Sequence, residues 1–150
     1  MPDADPCAPD VVRPVVIDSP KRLFLLSPCA LEREFRWTLP TFPMRLGETS
    51  RRAAARHLRR VAHLPALRIS PLIGRLPRKD VPGGVQYVVV VRPATGSWPT
   101  SVNPSLSPGA QWWTTAELRS ARAPVDPVQL LDFMDGYWDG WLPDGEIPLD

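Results

Sequence analysis

The sequence predicts an α/β domain, and three observations carry that prediction. Apolar, β-branched runs at 11–18, 67–76 and 85–91 read as strands. An arginine-rich segment starting at Thr49 has helical spacing, with Ala54, Leu58, Val61 and Ala62 on one face. A second helical pattern covers 124–138, near the C-terminus.

Taken in order, residues 1–10 (MPDADPCAPD) are polar and proline-rich and are expected to form a flexible N-terminus, with a single domain over 11–150. VVRPVVID (11–18) and KRLFLLS (21–27) read as two strands of a hairpin turning at Ser19–Pro20, with Pro14 marking an edge or a bend. Residues 28–34 read as an exposed loop, and 35–39 as a short strand. The helix that follows has Thr49 and Ser50 available as caps, Glu48 near its positive end, and three alanines in succession. Leu67–Leu76 alternates apolar and polar residues, DVPGG (80–84) is a turn, and VQYVVVV (85–91) reads as a strand buried on both faces. Residues 93–109 form a long Pro/Ser/Thr/Gly loop carrying Trp98, and loops of this length are commonly functional or disordered. AQWWT (110–114) is a short strand, and Thr115–Leu118 starts a helical turn. The terminal helix over 124–138 is expected to turn Val128, Leu131 and Phe133 inward, and 140–150 to be a tail of turns.

The informative stretch is Trp37–Leu64, WTLPTFPMRLGETSRRAAARHLRRVAHL, a strand, a loop and a helix. Trp37, Leu39 and Pro40 stand as W-x-L-P, Gly47-Glu48 as G-E, and seven residues separate Glu48 from Arg56, with Leu58 and Leu64 in aliphatic places. This spacing resembles the Nudix box, the signature of the Nudix hydrolase superfamily. The resemblance implies an α/β/α sandwich with a mixed β-sheet and extends from about Val15 to Trp138. It also implies a structural pair of Glu48 with Arg56. The departures fall on the family's chemistry. The Gly-Gly pair is Thr41-Phe42, the acidic loop residue is Arg45, the three glutamates after the arginine are His57, Arg60 and Val61, and the glycine is His63. In the family those glutamates hold the divalent cations that bridge a diphosphate and activate water, so the resemblance here implies a degenerate box with no metal ligands and no cofactor.

Several residues then stand as candidates. His57 replaces a catalytic-site glutamate, and an imidazole can exchange protons near neutrality; the alternative is a boundary histidine with a hydrogen-bond partner. Arg45 and Arg60 replace or border acidic positions, and guanidinium suits an anionic ligand; the alternative is a solvated cationic face. Trp98 is placed to stack on a planar ligand or to plug the loop. Mapped onto the family cleft, Arg45, His57, Arg60 and Trp98 would surround a small anionic or planar molecule. Asp132, Asp135 and Asp139 share a helix face that reads as mainly solvated. Trp37 and Trp113 read as core.

Two functional readings follow. One is a metal-independent Nudix-fold enzyme of a small-molecule biosynthetic pathway, with His57 as acid and base. The other is a non-catalytic module that binds a ligand or partner in the old cleft. The chain's 150 residues, 43% hydrophobic, suffice for one core, and a net charge of +2 gives no global field favouring nucleic acid. Arginines concentrate in 45–78 and acids from Asp126 onward. Cys7 and Cys29 lack metal-ligand spacing and read as free thiols of a reducing cytoplasm. No apolar run spans a membrane and no signal peptide opens the chain. The 20 prolines and the surplus of Ala and Arg fit high-GC bacterial codon usage. Tyr137, Trp138 and Trp141 form an aromatic cluster that would cover the sheet or meet a second copy in a homodimer.

Overall fold

The alternation of side chains along β1 (Cys7–Asp18) feeds two separate apolar layers, and this divides the molecule. Val12 and Val16 point to one face of the sheet, with Met44, Val89 and Val91, and the helix α1 (Ser50–Ala62) covers them through Ala53, Ala54 and Leu58. Val15 and Ile17 point to the other face, with Phe24, Leu26, Val88 and Val90. There they are covered by Leu118 and by Leu130, Phe133 and Met134. The computed structural model describes residues 7–31, 34–62, 66–94 and 109–149. Over these it is the expected α/β/α sandwich around a mixed sheet.

The remaining strands are β2 (Leu23–Leu31), β3 (Glu34–Thr38), β4 (Phe42–Arg45), β5 (Leu67–Pro77), β6 (Val85–Pro93), β7 (Gln111–Trp113), β8 (Val125–Asp126) and β9 (Gly145–Pro148). The other α-helices among the described residues are α2 (Thr115–Ser120) and α3 (Leu130–Asp139). The sheet runs β8-β3-β2-β1-β6-β5-β9, with β4 also paired to β1 and β7 to β2. β6 lies parallel to β1, with Val12 opposite Tyr87, and antiparallel to β5. Val88, Val89, Val90 and Val91 are buried on both faces, as their unbroken apolar run requires.

Several boundaries differ from expectation. β1 starts at Cys7, because Cys7 pairs with Arg45 and Asp10 accepts the Val85 N–H. The tip expected over 28–34 is mostly strand, with β2 and β3 in register from Ser27–Thr38 to Leu31–Glu34. The terminal helix starts six residues late. Val125 and Asp126 are instead paired beside Trp37 and Thr38, and a residue preceding proline, as Asp126 is, disfavours the helical region. Val128 therefore lies outside the helix and is 74% exposed, whereas Leu130, Phe133 and Met134 turn inward. The tail expected to be all turns contains β9, parallel to β5. Its neighbour Leu149 occupies the space over Gly74, where a built β-carbon would lie 2.6 Å from Leu149 Cδ1.

Among the described residues no helix is long and apolar enough to cross a membrane. Trp37 packs against the second layer with its ring edge toward Trp113, centroids 5.0 Å apart. Trp138 packs there too, while Trp141 is exposed. The aspartates of α3 are engaged locally: Arg119 bonds Asp132 and Asp135, and Arg22 lies 3.6 Å from Asp139.

Candidate functional site

The stretch before α1 folds as its residues dictate. Glu48 N–H donates to Arg45 O at 3.0 Å, closing a turn in which Gly47 takes φ +74°, a conformation costly for a residue with a β-carbon. Thr49 is the cap: its Oγ1 accepts from Arg52 N–H at 3.2 Å, and its carbonyl takes Ala53 N–H. Ser50 is the first helical residue and is buried.

Glu48 and Arg56 form the bridge expected of them. Arg56 Nε donates to Oε2 at 2.8 Å and Nη2 to Oε1 at 2.9 Å, a two-pronged pairing, and Arg45 N–H adds a bond to Oε1 at 3.0 Å. Hydrogen bonding from Arg56 holds the Glu48 carboxyl down at about 2, aided by the Arg45 N–H and opposed by burial. The pair ties β4 to α1.

His57 lies on the same seam and is 8% exposed. Its Nε2 sits 2.8 Å from Pro43 O, so that nitrogen carries the proton and donates it to the carbonyl. Its ring stacks on Phe42, centroids 4.5 Å apart and planes 10° apart. Burial is the main cause of its lowered pKa, with Arg56 and Arg60 acting in the same direction against the Pro43 bond and Glu48. The imidazole is therefore held neutral. Arg45 and Arg60 are exposed at the margins of this seam. The structure thus brings Arg45, Glu48, Arg56, His57 and Arg60 into one cluster, with Arg45 and Arg60 on its outside. Trp98 and His63 lie outside the described residues. Among those described, no three His, Cys, Asp or Glu side chains gather as a metal donor set.

Two features were not foreseen in the sequence. Phe42 was noted only as a replacement for glycine, and nothing local ties it to His57. Arg13 interrupts the apolar run of β1 and is 5% exposed. It donates to Gln86 Oε1 at 2.9 Å, Thr38 Oγ1 at 2.6 Å, Leu39 O at 3.1 Å and Asp126 Oδ2 at 3.2 Å, fastening β8 to the sheet. Burial lowers its pKa, and Asp126 offsets part of that.

A cavity of about 510 Å³ opens on the α1 side of the sheet, at the helix start. It is lined by Glu48, Arg51 and Arg52 on the helix side and by Asp10, Tyr87 and Glu146 on the strand side. None of Arg45, His57 and Arg60 lines it.

No protein-family profile and no curated protein sequence matches this chain. Solved structures do. A NUDIX hydrolase from Nitrosomonas europaea is 14% identical with a TM-score of 0.57, covering 90% of this chain and 91% of that one. A mutT/nudix family protein from Listeria innocua is 13% identical with a TM-score of 0.54, covering 93% and 94%. An ADP-ribose pyrophosphatase from Streptococcus suis is 13% identical with a TM-score of 0.50, covering 96% and 98%. At these identities the likeness concerns the chain's architecture, and the fold of this protein is the fold of the Nudix hydrolases.

Proposed function

We propose that this protein is a Nudix-fold binding module whose box is degenerate, and that it recognises a small molecule without hydrolysing a diphosphate. The observation that carries the reading is the stack of Phe42 on His57 with the Nε2 bond to Pro43. Two positions that depart from the family pattern, the second glycine and the first glutamate after the arginine, meet each other and fill the space between β4 and α1.

A divalent cation, the family's usual cofactor, does not fit this set. Position 57 offers a nitrogen already committed to a carbonyl, position 60 a guanidinium, and position 61 a valine. The metal-independent enzyme reading asks His57 to exchange protons, and the same contacts weigh against it. A ring that is neutral, covered and bonded to backbone is poorly placed to reach a substrate proton. Arg45 and Arg60 offer an anionic group a contact at the surface, outside the filled seam.

The test is an assay of nucleoside monophosphate formation from a panel of nucleoside diphosphates, ADP-ribose and UDP-sugars, with Mg²⁺ or Mn²⁺ and without metal. No turnover above the uncatalysed background is expected. Hydrolysis at ordinary enzyme rates, lost on His57→Phe or Arg60→Ala, would overturn the proposal.

A further inference from the structure

The walls of the cavity at the start of α1 are segregated by charge. The helix side carries Arg51 and Arg52, and its one acid, Glu48, is already matched by Arg56. The strand side carries Asp10 on β1 and Glu146 on β9, with Tyr87 of β6 between them. The register explains the grouping: Ile73 pairs with Glu146 on one side of β5, and Arg75 with Tyr87 on the other. Glu146 and Asp10 are both close enough to the Tyr87 hydroxyl to disfavour its ionisation, after burial as the larger cause.

These groups retain hydrogen-bonding capacity. Asp10 uses Oδ1 for Val85 N–H, and no bond within the described residues engages Oδ2. Glu146 is ion-paired with Arg75 at 3.4 Å through Oε1, and no bond within the described residues engages its Oε2. Arg51 places one nitrogen on Ile69 O at 2.8 Å. Arg52 has no side-chain partner among the described residues. Arg51 and Arg52 form no ion pair with Asp10 or Glu146 among the described residues. A molecule carrying both charges satisfies both walls at once.

We propose that this cavity binds a small zwitterion, its ammonium between Asp10 and Glu146 beside the Tyr87 ring and its carboxylate or phosphate against Arg51 and Arg52. The ring adds a cation–π contact for the ammonium. The assignment rests on the binding-module reading for its biological sense, but the site can be tested without reference to hydrolysis.

The experiment is calorimetric titration of the full chain with γ-aminobutyrate, ε-aminocaproate and phosphoethanolamine, against butylamine, butyrate and inorganic phosphate as single-charge controls. At least one zwitterion should bind about tenfold more tightly than every single-charge probe. Asp10→Asn, which keeps the Oδ1 acceptor for Val85, and Glu146→Gln should each weaken that zwitterion about tenfold and leave phosphate unaffected. Arg52→Gln should weaken the zwitterion and leave butylamine unaffected. Melting temperatures within the parent's range show that each variant is folded, and Asp10→Asn alone suffices if Glu146→Gln loosens β9. The assignment is overturned if no zwitterion binds at millimolar concentration, if butyrate or phosphate binds as tightly as the best zwitterion, or if Asp10→Asn and Arg52→Gln both leave its affinity unchanged. Nucleoside monophosphate formation in the hydrolysis assay would instead count against the binding-module reading and leave this site standing.

Discussion

Replacing Glu48 by alanine removes a carboxylate that three donors share: Arg56 Nε and Nη2 and the Arg45 N–H. The Glu48 side chain is 12% exposed and that of Arg56 25%, so the guanidinium left behind is partly hydrated. A carboxyl held at about 2 instead of 4.5 corresponds to an upper bound of about 3 kcal/mol. Solvent at the edge of the pair screens it, and about 1–2 kcal/mol is the reasonable share. The Arg45 N–H bond is already part of that figure, since it helps to hold the carboxyl down. The expected cost is therefore about 1–2 kcal/mol, and for a chain of this length that lowers the melting temperature by about 2–8 °C.

The sign with pH is fixed by the direction of the shift. The folded-state value lies below the unfolded one, so this stability is fully present above pH 4.5 and is lost as pH falls toward 2. Urea unfolding of parent, Glu48→Ala, Arg56→Ala and the double variant gives the coupling, expected at about 1–2 kcal/mol. The acid limb of the stability profile should be shallower in Glu48→Ala. Strict additivity of the two single variants, or a Glu48→Ala melting temperature equal to the parent's, would refute the assignment of this pair as the tie between β4 and α1.

Other perturbations have equally definite outcomes. His57→Ala should cost about 2 kcal/mol in urea unfolding, from the lost stack and the lost bond to Pro43. His57→Phe, which keeps a stacked ring, should cost less. Because His57 is held below its ordinary 6.5, the unfolded chain takes the proton first, and this residue's share of stability is present above pH 6.5 and falls as pH drops below it. His57→Phe should remove that slope; an unchanged slope would show that another group causes it. Asp126→Ala leaves the Arg13 guanidinium buried among neutral acceptors, and with Asp126 itself 41% exposed the expected cost is about 2–3 kcal/mol. Arg13→Met in the same background should recover part of the loss, and a further loss instead would mean that Arg13 is held chiefly by Gln86, Thr38 and Leu39. Millimolar Mg²⁺ should leave the melting temperature unchanged, and a rise of several degrees would reveal a cation site.

What the sequence made legible was local in origin. The apolar run of β6, the capped and alanine-rich start of α1, and the helical turn at Thr115–Leu118 are written in neighbouring residues. Three elements that were missed, β4, β8 and β9, are short strands whose pairing depends on distant partners. β9 carries only four residues, two of them Gly145 and Pro148, and no propensity scale would find a strand there without β5 beside it.

The site divides along the same line. The Glu48–Arg56 bridge was implied by the family resemblance, and it is present. Arg13 could not be read, because its acceptor Asp126 lies 113 positions away, and a charge within an apolar strand does not say which element will answer it. Phe42 and His57 are the more instructive case. Each alone reads as a departure from a pattern: an aromatic ring where a glycine belongs, and an imidazole where a carboxylate belongs. Neither departure is interpretable singly, since a lone phenylalanine would crowd the loop and a lone histidine would leave a buried nitrogen in need of a partner. Together, with Pro43 supplying the acceptor, they form a covered and hydrogen-bonded stack. That physical consistency, more than the missing glutamates, is what the proposal of binding without hydrolysis rests on.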